Sequence, residues 1–252
     1  MMQGLLLIDK PSGPTSHDIV NVVRARTRLK RVGHTGTLDP LASGLLLVLL
    51  GPATKWAQHF THQAKEYEVE ITFGIGTETG DALGRVVSRA PSTQHLPTEA
   101  GMEEHLQTFL GAQEQIPPMY SAIKHRGKPL YQWARQGITI PRRPRRIHIT
   151  RWDLVRYAPP LLTSRVHCSS GTYIRTLAES LGARLHVPAH VSAIRRHRIG
   201  PFDVADAVTC AWLTSATPAM IASRLLDESR VTSHESRTAC VSSPLLPTSR
   251  AA

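Results

Sequence analysis

VGHTGTLDPLASG (residues 32–44), running straight into LLLVLL (45–50), is the stretch from which the rest of the chain can be read. Gly33, Gly36 and Gly44 together with Pro40 mark a loop whose backbone can take unusual angles. The loop carries one imidazole, His34, and one carboxylate, Asp39. The apolar run behind it reads as a buried strand. Taken alone, Asp39-Pro40 is an ordinary turn starter. A carboxylate held by a turn at the mouth of a buried strand is also a good place for chemistry.

Upstream, Leu5–Ile8 reads as a second short buried strand, stopped by Lys10-Pro11 and Gly13. A helix is expected over 16–29, with Ser16 as N-cap and Ile19, Val22 and Val23 on one face. Downstream, 54–63 reads as an amphipathic helix that buries Trp56, Ala57 and Phe60. KEYEVEITF (65–73) alternates, with Tyr67, Val69, Ile71 and Phe73 on one face. Lys65, Glu68, Glu70 and Thr72 are assigned to the other, making a half-buried strand. GIGTETGDALG (74–84) is a loop whose glycine spacing does not match a dinucleotide-binding turn. Residues 98–110 read as a surface helix. Residues 113–146 read as irregular, proline-rich and basic around one helical turn set at 129–136, closed by Gly137. Two strands, 146–157 and 161–168, join through Pro159-Pro160. A helix at 172–185, a strand at 190–199 and a short helix from Thr209 complete the pattern. Strands and helices alternate irregularly, which points to an α+β fold around a mixed, mainly antiparallel central sheet flanked by helices and loops. Residues 1–227 are expected to form one catalytic domain, and 228–252, rich in Ser, Thr, Ala and Pro, a disordered tail.

Charge narrows the function. Lys and Arg number 30 against 19 acids, for a net charge of +11. Ten of those basic residues lie between Lys124 and Arg156 with one acid, Asp153, among them. Tyr131, Trp133 and Trp152 are interleaved with this block, which favours a polyanionic partner, above all nucleic acid. No apolar run approaches the ~18–20 residues of a membrane span, and the first residues lack the basic start of a signal peptide. Three widely spaced cysteines, Cys168, Cys210 and Cys240, suggest reduced thiols and a cytoplasmic protein. Among the 13 histidines, His59 and His62 lack clustered Cys or carboxylate partners, so no metal site is expected.

GHTGTLDPLASGLL (33–46) resembles the signature of the TruB-type tRNA pseudouridine synthases. LLLIDKPSGPTSHDIV (5–20), KEYEVEITFGIGTETGDALG (65–84), PPMYSAIKHRGKPLYQWARQG (117–137), CSSGTYIRTLAESLG (168–182) and RRHRIGPF (195–202) are similar to further motifs of that family, in the same order. The resemblance spans roughly residues 3–213. It implies a pseudouridine synthase-like fold with a thumb-like RNA-binding insertion, here 113–147. It also implies isomerisation of the T-loop uridine at position 55 of tRNA, with no cofactor. The expected partner is the tRNA T stem-loop, met by a monomer that needs no protein partner.

By the same resemblance Asp39 matches the catalytic aspartate and Arg175 its counter-ion. Cleaving a glycosidic bond builds positive charge at C1′, which a carboxylate stabilises or captures. The acid is expected in a dry pocket, kept ionised by the guanidinium. At ~4 Å and an effective dielectric of ~20 such a pair is worth about 4 kcal/mol. Tyr67 matches the tyrosine that stacks on the everted base, a displacement that costs a few kcal/mol. Tyr173 matches a second pocket tyrosine, Ile194 an aliphatic pocket residue, and His34 the residue that fills the space the base leaves. Lys10 is expected to support the loop. The chain departs from the family pattern at Glu78, Gly80 and Ser180, and residues 228–252, few and polar, are not expected to form the C-terminal RNA-binding domain in which family members often end. The alternatives are a non-catalytic RNA-binding scaffold and a synthase acting on another RNA.

Overall fold

A computed structural model describes residues 2–227 together with Ser229 and Val231; the expected tail and Cys240 lie outside the described residues. A ten-stranded mixed sheet organises the chain. Its strands are β1 (Gly4–Lys10), β2 (Val32–His34), β3 (Ser43–Leu50), β4 (Lys65–Phe73), then, past the β5–β6 hairpin (Ile75–Thr77, Val86–Arg89), β7 (Gly111–Gln115). A two-residue hairpin, β8 (Lys124–His125) and β9 (Lys128–Pro129), precedes β10 (Arg145–Ala158), β11 (Leu161–Cys168), β12 (Ala189–Ile199), β13 (Phe202–Asp203) and β14 (Val208–Thr209). The sheet order is β14-β1-β3-β12-β4-β11-β10-β7, with β2 on β3 and β13 on β12. Among the named strands of the described residues, only β1–β14 and β3–β12 pair parallel.

Burial explains the strand compositions. β1 and β3 are apolar on both faces because both faces are covered. Leu6, Ile8, Leu46 and Val48 join the main core with Ile19, Val20 and Val23 of α1 (Ser16–Thr27). Leu5, Leu7, Leu45 and Leu47 join a second core with Phe60 and Phe202. β4 alternates because one face alone meets the core. Tyr67, Val69, Ile71 and Phe73 are buried, while Glu68 pairs with Arg165 at 2.9 Å on the other side. Lys65 departs from the expected face. Its two-residue offset from Tyr67 puts it on the core side, 8% exposed.

Where the elements differ from expectation, the displacements have physical causes. Thr15, not Ser16, caps α1, because Asp18 sits at the third helical position and completes a capping box with Thr15. The expected helix at 54–63 is a 3-10 turn, Gly51–Trp56, followed by α2 (Ala57–Thr61), since Gly51 at φ +61° and Pro52 tighten the entrance. The surface helix expected over 98–110 is the shorter α3 (Glu99–Gln107), capped by the Thr98 side chain. Residues 113–115 are sheet, because β7 pairs with Arg145–Ile149 of β10. The excursion from the sheet therefore runs over 116–144, with β8, β9 and α4 (Leu130–Ala134) inside it. After α5 (Ile174–Arg184) the chain closes with α6 (Cys210–Ser215) and α7 (Pro218–Ser223), the last without an expected counterpart.

Candidate active site

The loop between β2 and β3 is held from behind by a network built mostly on backbone atoms. The Ser16 hydroxyl accepts from Leu38 N–H at 2.8 Å and donates to Leu38 C=O at 3.1 Å. Gly13 N–H donates to Pro40 C=O at 2.8 Å. Lys10, fully buried, donates from Nζ to the carbonyls of Pro11 and Pro14, each at 2.8 Å, and so stiffens the turn that grips Pro40. Burial lowers the Lys10 ammonium to about 8, against the attraction of Cys210 and Asp39. Leu38 and Ala42, at 3% and 2% exposure, anchor the loop in the core on either side of Asp39. The carboxylate between them has little freedom of position.

Arg175 enters from the first turn of α5. Its Nε lies 2.8 Å from Asp39 Oδ2. Nη1 donates to Thr79 C=O, and Nη2 to Tyr120 C=O at 2.7 Å. Asp81 Oδ2 lies 3.9 Å from the same Nε, and its Oδ1 accepts from the Thr79 hydroxyl at 2.6 Å. One guanidinium thus ties the Asp39 loop, the 77–84 loop and the insertion to the start of α5. The helix start is fixed in turn by Gln115 on β7. Its amide donates to Tyr173 C=O at 3.0 Å and accepts from Tyr173 N–H at 2.8 Å. The expectation of a dry carboxylate is corrected: the Asp39 side chain is 42% exposed and Arg175 only 6%, because the pair spans the rim of an open cleft.

That cleft has a volume of about 260 Å³ and is lined by Asp39, Tyr67, Tyr173, Arg175 and Ile194, among others. It is smaller than the ~300–1,000 Å³ of a drug-sized site, which suits a single planar base. Burial pushes the Tyr67 phenol up while the neighbouring Arg196 guanidinium opposes it; Tyr173 is likewise raised by burial. His34 does not line this cleft. It sits on β2, its Nδ1 buried and without a hydrogen-bond partner among the described residues. Burial, with Arg196 next in weight, pushes its imidazole below the usual range.

Ser16, Lys65, Asp81, Gln115 and Arg196 belong to the site, although sequence reasoning does not single them out. For Lys65 and Arg196 a signal exists. Each stands two residues from a cleft residue on the same strand, Tyr67 and Ile194, and hence on the same face. For Gln115, a polar residue in an edge strand, the sequence carries no such signal.

Residues 24–174 match a family model described as TruB family pseudouridylate synthase, N-terminal domain. Residues 175–235 match one described as tRNA pseudouridylate synthase B C-terminal domain. A protein of Opitutus terrae named tRNA pseudouridine synthase B is 46% identical over 208 residues, 82% of this chain and 86% of the relative. One of the same name from Bordetella avium is 43% identical over 227 residues, 90% of this chain and 93% of the relative. Among solved structures, a chain of a Cbf5–Nop10–Gar1 complex superimposes with a TM-score of 0.69 at 27% identity. The match covers 92% of this chain and 62% of that one.

Proposed function

The chain belongs to the TruB family of pseudouridylate synthases, and from that premise we propose that it isomerises a uridine of tRNA, the one at position 55 in the T loop. The observation that carries the site assignment is the 2.8 Å Asp39–Arg175 pair on the rim of a base-sized cleft walled by Tyr67, Tyr173 and Ile194. The everted nucleoside enters with its base against Tyr67 and its sugar toward Asp39. Asp39 captures or stabilises C1′ as the N1–C1′ bond breaks, and Arg175 holds the carboxylate in line. Tyr173 and Ile194 confine the base while it turns. C5 then bonds C1′, the C5 proton leaves and N1 gains one, so atoms and electrons balance without an external oxidant or leaving group. His34, one strand away from the cleft, fills the stack that the base vacated, and Lys10 keeps the loop rigid. The basic excursion 116–144 closes over the T loop through phosphate contacts, which position the RNA, while loop shape and the everted base specify it.

The protein acts as a monomer in the cytoplasm, without a protein partner. No helix among the described residues is long and apolar enough to cross a membrane. The test is Asp39→Asn on a T-stem-loop RNA carrying C5-tritiated uridine. Tritium release is abolished while RNA affinity stays within about tenfold of the unaltered protein. Persistent release would remove Asp39 from the mechanism.

A further inference from the structure

Two buried cations in the cleft have no acidic partner. Arg196 is 1% exposed and Lys65 8%, both line the cleft, and among the described residues neither forms an ion pair. Their partners are backbone carbonyls and, for Arg196, also the neutral Tyr67 hydroxyl, none of them an anion. Lys65 Nζ donates to Gln63 at 2.6 Å and Thr61 at 3.1 Å. Arg196 donates from Nε to Leu45 at 2.8 Å and from Nη2 to Gly36 at 3.2 Å. Carbonyl dipoles orient these groups but do not neutralise them, and moving a full charge out of water costs several kcal/mol per ion. The two also repel each other. Burial, then the Arg196 charge, lowers the Lys65 ammonium to about 8. A neutral amide could hold the same carbonyls at less cost. The one carboxylate of the cleft, Asp39, is already engaged by Arg175.

Their placement identifies the missing anion. On β4, Lys65 and Tyr67 share a face; on β12, Ile194 and Arg196 do. Tyr67 and Arg196 stand opposite each other in the ladder. The cations therefore flank the surface on which a base rests. When the N1–C1′ bond breaks, its electron pair stays with the base, leaving a uracil anion whose charge spreads over N1 and the ring carbonyls. That charge is gone once C5 has bonded C1′ and the proton has moved from C5 to N1.

We propose that Lys65 and Arg196 hold the negative charge of the uracil released between bond breaking and bond making, an inference that rests on the isomerase reading above. Groups complementary to a charge that exists only in mid-reaction raise kcat without tightening substrate binding.

The test uses single-turnover loss of the reacting nucleoside from a T-stem-loop RNA, read by digestion and chromatography. Uridine and 5-fluorouridine at the reacting position are compared, since fluorine makes the base a more acidic, better leaving group. With uridine, Lys65→Met and Arg196→Gln each slow the reaction about 10²-fold, the cost of removing one preorganised donor. Their RNA affinity stays within about threefold, and Arg196→Lys recovers part of the rate. With 5-fluorouridine the deficit of both variants shrinks to about tenfold or less. Equal deficits on the two RNAs, or a loss confined to affinity, overturn the proposal. Should Arg196→Gln fail to fold by circular dichroism, Lys65→Met decides alone. Failure of the unaltered protein to convert uridine overturns the isomerase reading, and this inference with it.

Discussion

Replacing Arg175 with Lys isolates what the guanidinium supplies beyond charge. Arg175 serves Asp39, Thr79 C=O and Tyr120 C=O at once from three nitrogens. An ammonium is a single point donor on a flexible stem and cannot span that fork. A hydrogen bond between charged groups contributes about 1.5–3 kcal/mol. The Asp39 side chain is 42% exposed, so solvent screening favours the lower half of that range, about 1.5–2 kcal/mol. At about 1.4 kcal/mol per factor of ten, kcat in Arg175→Lys falls about 10- to 30-fold. Carbonyls left without a donor at Thr79 and Tyr120 cost a further ~1–3 kcal/mol of stability. Single-turnover conversion of the T-stem-loop RNA gives the rate, filter binding the affinity, and urea melts the stability. If instead Arg175 contacts a phosphate, the loss appears in affinity, with a change of about 0.7–0.9 in the log–log salt slope. A rate within about twofold of the unaltered protein, in a variant that melts normally, refutes the orienting role.

Three further outcomes follow from the same geometry. Ser16→Ala strands the N–H and C=O of Leu38, costs about 1–3 kcal/mol in urea melts, and lowers kcat more than it raises KM, because Asp39 is the next residue. Lys65→Met changes how stability depends on pH. The native ammonium releases its proton near 8, whereas the unfolded chain keeps it to about 10.5, so the unfolded state binds more protons and Lys65 adds stability as pH rises through that window. Urea melts at pH 7.5 and 10 therefore show a smaller gain for the variant, the comparison cancelling the like contribution of Lys10, also near 8. Removing the exposed charges of the β8–β9 hairpin with Lys124→Ala and Arg126→Ala lowers the salt slope of RNA binding by about 0.7 for each phosphate that is no longer neutralised.

Much of this molecule is legible in its sequence because local chemistry and tertiary context agree. The alternation of 67–73 and the unbroken apolar runs of β1 and β3 match the burial they meet, and Pro159-Pro160 joins β10 to β11 as a turn. Disagreement arises where a side chain leaves its local role for a distant one. Ser16 looks like an N-cap by type and position, yet its hydroxyl serves Leu38, 22 residues on, because Thr15 already caps the helix. Gln115 looks like a surface residue of an irregular segment, yet its amide brackets Tyr173, 58 residues away. No pattern confined to neighbouring residues encodes such a pairing.

The two cleft cations show the same limit from the other side. A charged residue in a strand is assigned to solvent by default, and the acids around Lys65 encourage that assignment. Position parity contradicts it, since an even offset from Tyr67 means a shared face whatever the residue type. The same holds for Arg196 relative to Ile194. Gly44 supplies the complementary constraint: a Cβ there, at φ +100°, would lie 2.2 Å from Arg196 O, so the loop can approach this strand only through glycine. The Gly36 and Leu45 carbonyls that receive the Arg196 guanidinium belong to the same approach. The glycines of the opening stretch thus do more than relax a turn. Gly44 in particular lets the carboxylate-bearing loop close onto β12, where the Gly36 carbonyl meets the buried Arg196 guanidinium.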